Sequence, residues 1–116
     1  MKRTKENSQH YYWGDGCEGW HLVKSSELSI IEERMPPGTE EVKHYHETAQ
    51  QFFQILKGTA TFELEDETIM IHEKEGFHIK PEIKHKILNN GDVPLEFIVI
   101  SSPTTRGDRI DEPFEK

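Results

Sequence analysis

The chain of 116 residues holds 14 Lys and Arg against 22 Asp and Glu, a formal charge of −8 with its seven His neutral. An acidic surface repels phosphate backbones, which argues against a nucleic-acid partner, and no apolar run reaches the roughly 18–20 residues of a membrane-spanning helix. The single cysteine, Cys17, rules out an intramolecular disulfide and a paired-cysteine metal knuckle.

The length fits one domain, and the basic start, followed by polar residues rather than an apolar signal core, predicts a soluble, cytoplasmic protein. Only 33% of the residues are hydrophobic while 31% are charged, so few side chains are available to fill a core. A bound metal, a homodimer interface, or both are expected to add stability, since each contributes free energy that exists only in the folded state.

Residues 1–9 are polar and aperiodic and read as a mobile arm. The aromatics Tyr11, Tyr12, Trp13 and Trp20 are punctuated by Gly14, Gly16 and Gly19, a spacing that suits a turn or short strand pair and not a helix. Short strands are then expected over residues 28–35, 41–46, 51–56, 59–64, 68–72, 77–79, 85–88 and 95–100. Pro36-Pro37-Gly38, Gly58, the acidic stretch 63–67 and Asn89-Asn90-Gly91-Asp92 supply the turns between them. Such regular spacing, with no amphipathic helix, predicts an all-β fold: an antiparallel jelly-roll barrel over residues 10–103, with a polar tail over 104–116.

The chemistry is concentrated in one stretch. On an extended strand His44 and His46 leave the same face about 6.5–7 Å apart, close enough for their imidazoles to converge on one ion, while Lys43 and Tyr45 point the other way. Gln51 follows after a short connection and offers a neutral amide oxygen, and His85 opens a later strand from which it can complete the set. His10, His21, His72 and His78 lack this spacing. Of these, His78 is a candidate proton carrier as a strand neighbour of the pocket. Arg34 and Arg106 are candidates to orient an anionic substrate through their forked donors, and Arg106-Gly107-Asp108 reads as a turn.

Gly38, His44, His46 and Gly58 fall at the spacings of the first motif of the cupin family, with Gln51 where that motif carries Glu. Pro81, His85 and Asn89 fit the second motif, whereas Lys74 and Glu82 stand where it has glycines and Lys80 where it has proline. From residue 36 to 103 the chain thus resembles a cupin, which implies the double-stranded β-helix form of the jelly roll, a metal held by His44, His46, Gln51 and His85, and a homodimer. The His–His–Gln–His set is similar to that of small single-domain cupins that open cyclic unsaturated uronates. Those enzymes carry an acid and an aromatic on the last strand, where this chain has Val99 and Ser101, followed by an arginine near a Ser-Pro, here Arg106 after Ser102-Pro103. The resemblance therefore carries over the ligands and leaves the catalytic acid unassigned.

Three imidazoles and an amide are neutral, so a divalent ion keeps its full charge, whereas a carboxylate would cancel one unit and favour a trivalent state. Such ligands do not choose among Ni, Zn, Mn and Fe(II). The leading expectation is Lewis-acid chemistry of isomerase or lyase type on a small sugar acid or a hydroxy or keto acid. A ligand-binding or sensing cupin without turnover and an iron-dependent dioxygenase are the alternatives.

Overall fold

The computed structural model describes residues 1–114. Within them a single 3-10 turn (Lys5–Asn7) precedes eleven strands. They are β1 (Gln9–Trp13), β2 (Cys17–Lys24), β3 (Ser29–Met35), β4 (His44–His46), β5 (Gln50–Lys57), β6 (Ala60–Glu63), β7 (Thr68–Ile71), β8 (Gly76–Ile79), β9 (Lys86–Leu88), β10 (Leu95–Ser102) and β11 (Arg109–Asp111). A six-stranded sheet runs β1-β2-β3-β10-β5-β8, a three-stranded sheet runs β7-β6-β9, and β4 pairs with β11. Every pairing is antiparallel, as the jelly-roll expectation requires.

The core follows from side-chain alternation on β5 and β10. Leu95, Phe97, Val99 and Ser101 of β10 are buried, as are Gln51, Phe53 and Ile55 of β5. The register pairs Phe97 with Ile55, Val99 with Phe53 and Ser101 with Gln51, so one interior face changes from apolar to polar along its length. At the apolar end Phe53 meets Phe62 edge-on, with ring centroids 5.0 Å apart, and Phe97 at 5.7 Å. The polar end is where β4 arrives.

Three segments depart from the sequence reading. The aromatic stretch forms the expected strand pair and departs only in its length, since β2 runs on to Lys24 by pairing with β3. Only residues 44–46 of the strand expected over 41–46 are extended in a sheet, because the Glu41 N–H bonds to Ile87 O across a looser connection. Residues 109–111, read as part of a polar tail, form β11 beside β4. Short polar segments like that one carry no periodic signal; their partner strand recruits them. In the segment read as a mobile arm, Lys5 sits 3.1 Å from Glu32 and 4.4 Å from the centre of the Trp20 ring.

Two departures from the second motif have a simple backbone reading. Lys74 and Glu82, which replace glycines, both hold the left-handed conformation that glycine favours, with φ of 70° and 73°. The turns persist without the residue best suited to them. Asn89 is fully buried and pins the turn after β9, donating to Met35 O and Val93 O and accepting from the Gly91 N–H.

Candidate metal centre

His44 and His46, one residue apart on β4, both face inward because strand neighbours two apart share a face. His85 joins them by a backbone bridge: the His44 N–H bonds to His85 O and the His85 N–H to His44 O, each at 2.9 Å. The imidazole centroids of His44 and His85 stand 4.4 Å apart, and those of His44 and His46 4.9 Å. One ring nitrogen from each of the three lies within 4.8 Å of the others. That is near the separation of about 3–4 Å expected for nitrogens about 2.0–2.1 Å from a shared ion. Gln51 enters the same cavity from β5.

The orientation of each group is fixed from behind. His44 Nδ1–H donates to Val42 O at 2.9 Å and His85 Nδ1–H to Ile83 O at 2.8 Å, which leaves each Nε2 with a free lone pair. Gln51 Nε2 donates to Ser101 Oγ at 3.1 Å and so turns the amide oxygen inward. The His85 Nε2, both ring nitrogens of His46 and the Gln51 Oε1 are buried without a hydrogen-bond partner among the described residues. Buried polar atoms are nearly always satisfied, so four such atoms in one place call for a bound group, and nitrogen lone pairs with a carboxamide oxygen suit a divalent cation.

The imidazoles are ready for that role. Burial, reinforced by His85 and Arg109, pushes His44 down to about 2, and burial lowers His85 to about 4. His46 is also lowered, first by burial and then by Arg109. All three are therefore neutral near pH 7, the form that ligates.

The cavity measures about 140 Å³ and is bounded by Ile31, Phe53, Phe97 and Val99 on its apolar side. It adjoins a second chamber of about 190 Å³, and Tyr11, Glu33, Glu41 and Arg109 line both. Sequence reasoning missed these four residues. Burial and the neighbouring Glu41 raise Glu33 to about 8, against the pull of Arg109. Glu41 rises to about 7 for the same first reason, while Arg109 and the Ile87 amide lower it. Arg109 lies 3.8 Å from the Glu41 carboxylate and donates to Val42 O at 3.3 Å.

The remaining sequence candidates lie elsewhere. His78 is exposed on the outer face of β8, donating from Nε2 to Gln50 Oε1 at 2.9 Å, since the inward positions of that strand belong to its neighbours. Arg34 faces Glu18 at 3.9 Å with its side chain about one third exposed. Arg106 is exposed in the turn before β11, and the arginine that does reach the cavity is Arg109, three residues on. Asp108 ends that turn and accepts N–H groups from Glu47, Thr48 and Ala49 at 2.9–3.2 Å, which fastens the connection between β4 and β5.

This barrel with inward histidines is that of a cupin. The model of the cupin domain matches residues 31–101, and the chain belongs to that family. It is 30% identical over 83 residues to an uncharacterized protein of Methanocaldococcus jannaschii, over 72% of this chain and 66% of that one, just under two thirds of the relative's length. Its structure is similar to a sugar phosphate isomerase of the cupin superfamily from Silicibacter pomeroyi, with a TM-score of 0.78 and 18% identity over 90% of this chain and 76% of that one. It is likewise similar to a predicted oxalate decarboxylase from Thermotoga maritima, with a TM-score of 0.80 and 21% identity over 90% of this chain and 100% of that one. At these identities the likeness establishes the fold alone.

Proposed function

We propose that the protein is a metal-dependent enzyme of isomerase or lyase type, acting on a small sugar acid or a hydroxy or keto acid. The observation that carries this reading is the set of buried ligand atoms of His46, His85 and Gln51, without hydrogen-bond partners among the described residues, clustered with His44 where His44, His46 and Gln51 line a cavity that also holds two carboxyl groups and an arginine. A divalent ion held by His44, His46, His85 and Gln51 supplies Lewis acidity toward carboxylate and carbonyl oxygens. Arg109 offers an anionic substrate a second point of attachment, with Glu41 balancing its charge in the free protein. Ile31, Phe53, Phe97 and Val99 keep water from the reacting groups and so strengthen every electrostatic contact there. The cavity is smaller than the roughly 300–1,000 Å³ usual for drug-sized ligands, which favours a substrate of few atoms. The two structural neighbours are named for activities on a sugar phosphate and on oxalate, which lie in the same oxygen-rich class.

Elemental analysis of protein purified without added metal tests the reading, followed by a screen of uronates and keto acids on that preparation. One divalent ion per chain and turnover of a member of these classes are expected. His44→Ala is expected to abolish metal retention and lower the melting temperature. Unchanged metal occupancy in that variant would refute the ligand assignment. Homodimerisation and a cytoplasmic location belong to the same proposal, to be read by light scattering and cell fractionation.

A further inference from the structure

We propose that Glu33 is the residue that removes and returns the substrate proton at this site. The inference rests on the enzymatic reading above and assigns the role that the sequence left open. Glu33 and Glu41 are the two carboxylates that line both chambers, and their surroundings differ. Glu41 is committed: it lies 3.8 Å from Arg109 and accepts the Ile87 N–H at 3.2 Å. Among the described residues, no ion pair engages the Glu33 carboxylate. The nearby Trp13 indole favours its charged form slightly, but the Trp13 Nε1 is itself unpartnered.

The placement of Glu33 is built by the sheet. In β3 the inward positions recur at Ile31 and Glu33, and the register sets Glu33 between Gly19 of β2 and Phe97 of β10. Gly19 in turn pairs with Tyr11 of β1. A Cβ at Gly19 would lie 2.3 Å from Tyr11 Cζ and 2.5 Å from its hydroxyl oxygen, so the absent side chain is what lets the phenol cross the sheet toward Glu33. The charge of Glu33 in turn helps hold the Tyr11 hydroxyl protonated, after burial. The groups that face Glu33 are thus Tyr11 and Trp13 from β1, Cys17 from β2, Glu41 from the connection before β4 and Arg109 from β11.

The step balances within these residues. The carboxylate accepts the proton of a carbon adjacent to a carbonyl, the C–H electron pair forms the carbon–carbon double bond, and the carbonyl π pair moves to oxygen. Return of a proton to carbon restores the carbonyl and the carboxylate. A carboxyl raised to about 8 holds both protonation states near neutral pH, which suits a group that must both accept and donate.

The test uses pyruvate as probe and the zinc-loaded protein in heavy water, with exchange of the methyl protons followed by NMR. Wild type is expected to exchange faster than Glu33→Gln by about 100-fold or more, the usual weight of a positioned general base. A readout independent of turnover is the infrared band of a protonated carboxyl at pH 7, in metal-free and loaded protein. It is expected in wild type and lost as pH passes about 8, whereas Glu33→Gln keeps only the Glu41 band, already fading at pH 7. Equal exchange by wild type and variant, both metal-loaded, would overturn the proposal while leaving the enzymatic reading intact. So would a wild type that holds zinc but exchanges no faster than buffer. Failure of the wild type to retain zinc would instead sink the reading on which the proposal rests.

Discussion

At the residue scale, the site depends on side chains that never touch the ion as much as on those placed to hold it. Among the described residues Ser101 Oγ is the hydrogen-bond partner of the Gln51 amide, and without it the amide is free to rotate its oxygen away. Ser101→Ala is therefore expected to weaken zinc binding about 10- to 100-fold, the range typical of groups that orient a ligand, with little change in fold; isothermal titration reads it. The convergence of His44, His46 and His85 was legible because a strand shows alternate residues on one face, and the motif spacing supplied the distant partner. Glu33 left a weaker trace: counting back by twos from buried Met35 puts it on the inner face, but a charged residue inside Glu32-Glu33-Arg34 looks like surface. Arg109 left none, because nothing in residues 104–116 signals a strand.

At the scale of elements, the connection between β4 and β5 is held from outside by a turn 60 residues away. Asp108→Ala would free the Glu47, Thr48 and Ala49 N–H groups next to His46. Since Glu47 and Thr48 are exposed and water can partly replace the carboxylate there, while Ala49 is buried, the loss is expected to be about 1–2 kcal/mol. Thermal unfolding should show it, together with weaker zinc retention. Glu82 presents the opposite case. Its φ of 73° costs an L-residue roughly 1–2 kcal/mol, part of which glycine would return in chain entropy, so Glu82→Gly should stabilise by about 0.5–1 kcal/mol in denaturant titration. The strands at the barrel centre could be read from the sequence, since apolar alternation and turn residues agree there. β1, β2 and β11 could be read only in part or not at all, because aromatic-glycine and polar stretches take their conformation from the strand they pair with.

At the scale of the whole molecule, the buried ionisable groups give the metal-free protein a defined pH response. Glu33 and Glu41 have folded values raised to about 8 and about 7 from 4.5, so the stability they contribute is complete below 4.5 and is lost as pH rises through those values. The histidines act in the other direction. His44 and His85, lowered from 6.5 to about 2 and about 4, contribute stability that is complete above 6.5 and is lost as pH falls. The two sets oppose each other between 4.5 and 6.5, and the carboxyls act alone from 6.5 to 8. The melting temperature of metal-free protein is expected to fall over that upper interval, and Glu33→Gln to flatten the slope; calorimetry at fixed ionic strength checks both. The pairing of β4 with β11 also bears on biosynthesis. Two imidazoles emerge from the ribosome early, yet the strand that carries them is braced by residues made some 60 positions later. A nascent chain can thus present its histidines long before it can arrange them, and cation capture should be timed to the release of residues 108–111, not to the synthesis of the ligands.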